Sequence, residues 1–202
     1  VAIFTYAELA ELGIRKVGQS VRIDKSVHIF GGDKLTIGDN VRIDCFCMLS
    51  AGEAGITIGS HVHIGVGCQL FGTRANITLE DFSGLSSRVS LFASSDDFTG
   101  GYLTNPTIPD RYKNVKSSPV RLAKHAVVGC GSVVMPGVVL GVGAAVGALS
   151  VVRKSVGDFQ IAHGNPCRLL PLKRNRERLE LLEKQFLTHW TAAEDDLHED
   201  LL

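Results

Sequence analysis

The chain has 202 residues, 45% of them hydrophobic and 21% charged, and its 21 basic and 21 acidic side chains cancel. That balance excludes a disordered chain and, lacking a basic excess, argues against a nucleic-acid partner. No apolar run reaches the ~18 residues of a membrane span, and no charged-then-apolar leader opens the sequence.

The five cysteines are odd in number, and Cys45 and Cys47 form a C-x-C without a partner motif. Reduced thiols in a cytoplasmic protein are therefore expected, with neither a disulfide framework nor a metal site.

Thr5 with Glu8 forms a T-x-x-E capping box, Leu9 and Leu12 share a face, and Gly13 stops the turn, which predicts a short N-terminal helix. From Val17 the period changes to six. The aliphatic markers run Val17, Ile23, Ile29; Ile37, Ile43, Leu49; Ile58, Ile64, Leu70; Leu79, Leu85, Leu91; Leu122, Val128, Val134; and Leu140, Val146, Val152. Four residues after each marker a mostly small residue recurs, such as Val41, Cys47, Ser83, Ala126 or Ser150. Fixed self-similarity predicts a parallel β-solenoid, three short strands to a triangular coil, with the markers filling the interior.

Between Leu91 and Leu122 the count breaks at SSDDFTGG and runs on through a Gly/Pro-rich stretch. The spacing predicts a loop of about 94–119, inserted between the fourth and fifth coils and ordered rather than floppy. After Val152 the solenoid is expected to end. Leu179, Leu182, Phe186 and Trp190 then repeat at helical spacing, predicting a C-terminal helix that caps the solenoid end or meets a neighbouring subunit. The acidic run Glu194, Asp195, Asp196, Glu199 and Asp200 reads as a solvated helix end. The organisation expected is a helix plus solenoid domain over 1–157 and a packing segment over 158–202.

The six-residue ruler, VRIDCFCMLS, HVHIG, SSDDFTGG, KHAVVGCGSVVMPGV, VGALSVV and HGNPCR together resemble the left-handed β-helix hexapeptide-repeat acyltransferases, in the branch of nucleotide-amino-sugar N-acyltransferases. The left hand comes from this resemblance alone, since the general rule for parallel crossovers would give the opposite. The resemblance implies a homotrimer with active sites between subunits, an acyl-CoA (acetyl-CoA above all) as donor, and a nucleotide-linked, dTDP-type amino sugar as acceptor in surface-polysaccharide biosynthesis.

O-acetylating relatives place a catalytic histidine five residues after the marker preceding the loop; here that position holds Asp96. A sugar hydroxyl is a weak acid and wants a base near neutrality. A carboxylate, at about 3.9, is a poor base for it. An amine is already nucleophilic when neutral, and a carboxylate suits the task of attracting the ammonium and helping remove its proton. Asp96 therefore points to N-acylation by direct attack on the thioester.

Asp97, one step beyond the register, suits an Asx turn and is also a candidate substrate contact. Ser86 is a candidate for holding substrate or oxyanion, or simply a small corner residue. His63, stacked between Arg42 and Gly84, is a competing base. Arg42, Arg88 and His125 are further candidate substrate contacts. For coenzyme A the candidates are Gly129, Gly131, Gly147 and Ala148 along the coil edges, Asn165 and Pro166 in HGNPCR, and Lys173 and Arg174 for the phosphates; small residues demanded by the solenoid and a solvated helix start account for several of these equally well. The other readings are a sugar O-acetyltransferase with His63 or His125 as base, and a non-catalytic solenoid scaffold.

Overall fold

The structure is a computed structural model that describes residues 2–199, with side chains through residue 190. The acidic run from Glu194 to Asp200 lies outside the described side chains.

Three sheets of six, eight and six strands form the faces of a solenoid. Every marker pairs in parallel with the marker one coil on: Val17, Ile37, Ile58, Leu79, Leu122 and Leu140 in the first sheet. Ile23 through Val146 do the same in the second sheet, and Ile29 through Val152 in the third. All the markers except the half-buried Val17 and Ile29 of the first coil are buried. The fourth-step residues are buried too, except Ser95 at the loop and the charged Asp33, Glu53 and Arg74 after the third-sheet markers. Thus the core is a stack of identical layers, each adding the same aliphatic triangle and the same rung of parallel hydrogen bonds.

The third residue after a marker carries a rule of its own. At the corner between first and second sheets, Ser20, Asn40, His61, Phe82, His125 and Gly143 all have φ between 53° and 65°. At the next corner Phe46, Gly67, Arg88, Gly131 and Leu149 occupy the same left-handed region. Left-handed backbone is strained for β-branched residues above all, and no Val, Ile or Thr stands at these positions.

The loop leaves after Ala93, and Ser94–Ser95 pairs antiparallel with the returning Lys116–Ser117. Leu103 bridges Lys113, and Asp110 bonds Arg74 at 2.5 Å and Lys113 at 3.0 Å, so the arm is tied to the coil beneath it. Ile77 and Leu79 pair with Val120 and Leu122 across the excursion, so the solenoid resumes in register.

The N-terminal helix α1 (Tyr6–Glu11) has Thr5 as its cap with the box to Glu8 complete. Leu9 is buried, whereas Leu12 is the cap residue at the other end and is exposed, because the helix stops before its second turn brings Leu12 onto the solenoid.

The stack also runs beyond Val152. Val156 bridges Leu140, and Gln160–His163 adds a parallel strand to the second sheet, Ala162 opposite Val146. The sequence count missed this because the phase resets: Val156 and Ala162 are buried and six apart, while the step of six from Val152 lands on exposed Asp158. Arg168–Lys173 then turns back antiparallel on Gln160–His163.

Helix α2 (Arg176–Glu199) lies along the first corner rather than capping the solenoid end. Arg176 sits over the Phe159 ring, Glu183 bonds Lys124 and His125, Phe186 meets Phe82 and His61, and Trp190 meets His61. From Arg176 to Trp190 the helix covers about 21 Å. The four rungs from Phe159 to His61 cover about 19 Å at 4.8 Å each. The match lets one helix touch successive coils of a single corner.

Candidate active site

Two clefts hold the residues that carry chemistry, and they share no lining residue. The first, of about 430 Å³, lies on the second sheet and its following corner and is lined by Asp44, His63, Gly65, Gly84, Leu85, Ser86, Ser87, Val127 and Cys130. Arg42, His63 and Gly84 are register partners on successive coils, each one residue before a marker and so directed outward. Gly84 is the bare rung: a Cβ there would find no atom nearer than 3.8 Å. Ser86 stands one residue past Leu85, and its hydroxyl makes no hydrogen bond among the described residues.

Sequence reasoning missed Asp44. Its Oδ2 lies 2.8 Å from Nε2 of His63 and its Oδ1 accepts from Nε of Arg42 at 2.7 Å. Burial pushes the Asp44 carboxyl up, but the bonds from His63 and then Arg42 outweigh it and hold the group below the ordinary carboxylate range. The visible signal was the I-D step of VRID, one coil before His63.

The second cleft, of about 360 Å³, opens where the loop begins and is lined by Phe92, Ser94, Ser95, Asp96, Phe98, Val115 and Met135. Asp96 is half-buried there, and among the described residues its carboxylate has no hydrogen-bond or ion-pair partner. Asp97 beside it is the opposite: buried, accepting from the Thr99 N–H at 2.8 Å and from Asn114 at 2.9 Å. The bonds from Thr99 and Asn114 lower its pKa to about 2. Asp97 is thus the Asx turn that opens the loop, with both oxygens committed inside the protein, and Asp96 is the carboxylate left facing the cleft.

Several sequence candidates have internal work instead. His125 is buried in the corner stack, its ring 5.0 Å from Phe82 and its Nε2 2.8 Å from Glu183. Arg174 donates to the carbonyls of His125 and Gly143 at 2.8 and 3.2 Å, so it fastens the start of α2 to the corner. A Cβ on Gly129 would meet the Ala148 nitrogen at 2.5 Å, and one on Gly147 would meet the His163 ring, so the next coil fills the room these glycines leave. Gly131 faces Leu149 in the same way, and Ala148 is exposed beside it. Arg88 is exposed at the corner after Ser86.

Asn165 and Pro166 form the turn before Arg168–Lys173, and Lys173 is exposed at that strand's end. Pro166 borders a third cleft, of about 640 Å³, with Arg153, Lys154 and Arg168. These three cations went unnoticed in the sequence, although Arg153 and Lys154 directly follow the last marker. They suit a phosphorylated ligand. Phe92, Met135 and Arg153 each follow a marker on successive rungs of the third sheet, so the Asp96 cleft and the cationic cleft are about 10 Å apart along one corner. Among the described residues no three His, Cys, Asp or Glu side chains gather as metal ligands would, and no helix is long and apolar enough to cross a membrane.

No protein-family model matches the chain. It is 41% identical over 179 residues, 89% of its own length and 92% of the relative's, to the dTDP-4-amino-4,6-dideoxy-D-glucose acyltransferase of Escherichia coli. It is 42% identical to AntD, an N-acyltransferase from Bacillus cereus, whose crystal structure with dTDP and 3-hydroxybutyryl-CoA matches with a TM-score of 0.88 over 94% of this chain and 98% of that one. A serine variant of AntD, in complex with dTDP-4-amino-4,6-dideoxyglucose and coenzyme A, matches with TM-score 0.88 and 42% identity over 93% and 98% of the two chains. AntD has also been crystallised with an aspartate replaced, and the substituted serine and aspartate stand at the spacing that separates Ser86 from Asp96. With this likeness extending over most of both chains, this protein belongs to the hexapeptide-repeat acyltransferases, in the nucleotide-amino-sugar N-acyltransferase family.

Proposed function

We propose that this chain transfers an acyl group from a coenzyme A thioester to the amine of a nucleotide-linked amino-deoxy sugar, with a dTDP sugar as the acceptor class. The observation that carries the reading is the contrast between the two loop aspartates. Asp97 is consumed by the turn, while Asp96 keeps an unpartnered carboxylate in a cleft of mixed polarity. A carboxylate attracts and orients an ammonium group, and the amine needs only to lose one proton to become a nucleophile.

The amine nitrogen attacks the thioester carbon. A C–N bond forms, the C–S bond breaks, the thiolate leaves with the electron pair, and the surplus proton passes from nitrogen to Asp96 or through it to water. Ser86 is suited to donate a hydrogen bond to the oxyanion or to the sugar. The donor's phosphates are assigned to Arg153, Lys154 and Arg168, two rungs from Asp96, and its acyl end to the apolar wall of Phe92, Phe98 and Met135. This assignment is preferred to Arg174, whose Nη1 already donates to two carbonyls of the fold.

Ser86 and Asp96 lie on successive corners, one strand apart, in separate clefts. The third-sheet strand Ser90–Phe92 lies between them, and the extended coil side it belongs to, at ~3.3 Å per residue, separates them by more than a single amine can bridge. That supports a site completed between neighbouring subunits, the loop of one closing the second-sheet cleft of the next in a cyclic trimer. Dependence on acyl-CoA and five free cysteines favour a cytoplasmic enzyme supplying surface-polysaccharide assembly.

The reading is tested by incubating the protein with acetyl-CoA or 3-hydroxybutyryl-CoA and a panel of nucleotide-linked amino and hydroxy sugars, following thiol release and product mass. Thiol release with an amino sugar and an amide product is expected. Turnover with hydroxy sugars alone would replace the reading with O-acylation, and silence with all of them would favour a scaffold.

A further inference from the structure

We infer that Asp44 is a positioning residue for the acceptor cleft: its one carboxylate holds both His63 and Arg42 and leaves each with a free face for the substrate. The inference rests on the amino-sugar reading of that cleft. Its geometry, however, stands by itself.

Asp44 sits back from the surface, its side chain 17% exposed, whereas Arg42 and His63 are 61% and 54% exposed. Exposed side chains of this length ordinarily sample several rotamers, and here each is pinned by a separate oxygen of the same acceptor. As a stability device an exposed ion pair is worth little. As a means of fixing two substrate-facing groups relative to each other it is effective.

The chemistry of the acceptor decides what the histidine presents. A carboxylate only accepts, so the hydrogen of the neutral ring is on Nε2, and Nδ1 becomes the ring's acceptor. Among the described residues Nδ1 has no partner. Arg42 is engaged through Nε, so its two terminal nitrogens keep the paired donors that suit a phosphate. The floor between them and Ser86 is Gly84, where coil stacking does not require a glycine. The open floor lies beside His63, while Arg42, one rung further along the stack, lines the adjoining cleft with Arg22, Asp24 and Asp44; a sugar on the floor with its diphosphate extended toward Arg42 fits that arrangement. The charged and titratable groups that face His63 are Arg42 and Asp44 on the preceding coil and Cys130 across the cleft; the following coil offers Gly84, Ser86 and Ser87, without charge.

The experiment combines the tautomer of His63 with kinetics. In wild-type protein labelled with 15N-histidine, we expect the His63 signal of a ring protonated at Nε2. In Asp44→Asn we expect that tautomer to be lost and kcat/KM for the amino sugar to fall on the order of ten- to a hundredfold. The KM for acyl-CoA should stay put, and Asp44→Glu should recover some of the loss. A wild-type ring protonated at Nδ1 overturns the inference whatever the activity is. If His63→Gln loses activity while Asp44→Asn keeps the wild-type rate, the inference fails and the functional reading stands. If neither substitution alters turnover of an amino sugar, the cleft does not bind the acceptor and the inference fails with it.

Discussion

Phe82 lies flat on His61, their ring centroids 4.8 Å apart and their planes 5° from parallel, and Phe186 of α2 meets both rings edge-on. Both rings stand at left-handed corner positions, so the backbone conformation that turns the coil also builds the shelf on which α2 rests. Trp190, the sole tryptophan, sits on the same shelf. Phe186→Ala should therefore loosen α2 by about 1–2 kcal/mol, less than a fully buried ring because Phe186 keeps 38% of its surface exposed. A red shift of Trp190 emission at lower urea, with the solenoid's far-ultraviolet signal unchanged, is the expected result.

The same helix is held by a carboxylate. Burial pushes Glu183 up, but hydrogen bonds from His125 and Lys124 outweigh that and leave it below the ordinary glutamate range. A folded-state value below the unfolded one means its stabilisation is complete above ~4.3 and is lost as pH falls through the folded value. Trp190 emission should be constant from neutrality to about pH 5 and shift in stronger acid. In Glu183→Gln that acid step should be absent, and an unchanged step would assign it to another group.

The fold was legible in the sequence because a solenoid repeats one local requirement. An aliphatic residue must face inward every six residues, and all eighteen markers fell into three ladders. The loop's position followed from the break in that count, while Asp96 was singled out through the catalytic position that the family resemblance implies. What escaped were features set by contacts between coils. The phase reset at Val156, the path of α2 and the capture of His125 by Glu183 depend on neighbours distant in sequence. Asp44 was hidden because an I-D step on a coil edge looks like any solvated turn until His63 is stacked beside it. The left-handed corners were in principle readable, since no β-branched residue stands at the third step after the first- and second-sheet markers.

That absence has a direct consequence at Asn40, with φ of 55°. Asparagine visits this region readily and valine does not. Asn40→Val should cost about 1–2 kcal/mol and Asn40→Gly close to nothing. Denaturant midpoints of the three proteins provide the check.

Gly129 and Gly84 should behave oppositely although each adjoins a marker of the second sheet. An added Cβ at Gly129 would stand 2.5 Å from backbone, so Gly129→Ala must push adjacent coils apart and should cost several kcal/mol. An added Cβ at Gly84 meets nothing nearer than 3.8 Å, so Gly84→Ala should fold normally. Its methyl would occupy the cleft floor beside Ser86, and the expected effect is a raised KM for the amino sugar with KM for acyl-CoA unchanged.

The central claim is that Asp96 of one subunit acts on an amine held at the Ser86 cleft of its neighbour. It is tested most directly by mixing Ser86→Ala and Asp96→Asn proteins, each nearly inactive alone, after subunit exchange. In a cyclic trimer with equal mixing, about one interface in four joins an intact loop to an intact cleft, so thiol release should recover to about a quarter of the wild-type rate. Activity that stays at the sum of the two parents, in mixtures shown to contain mixed oligomers, would contradict the account.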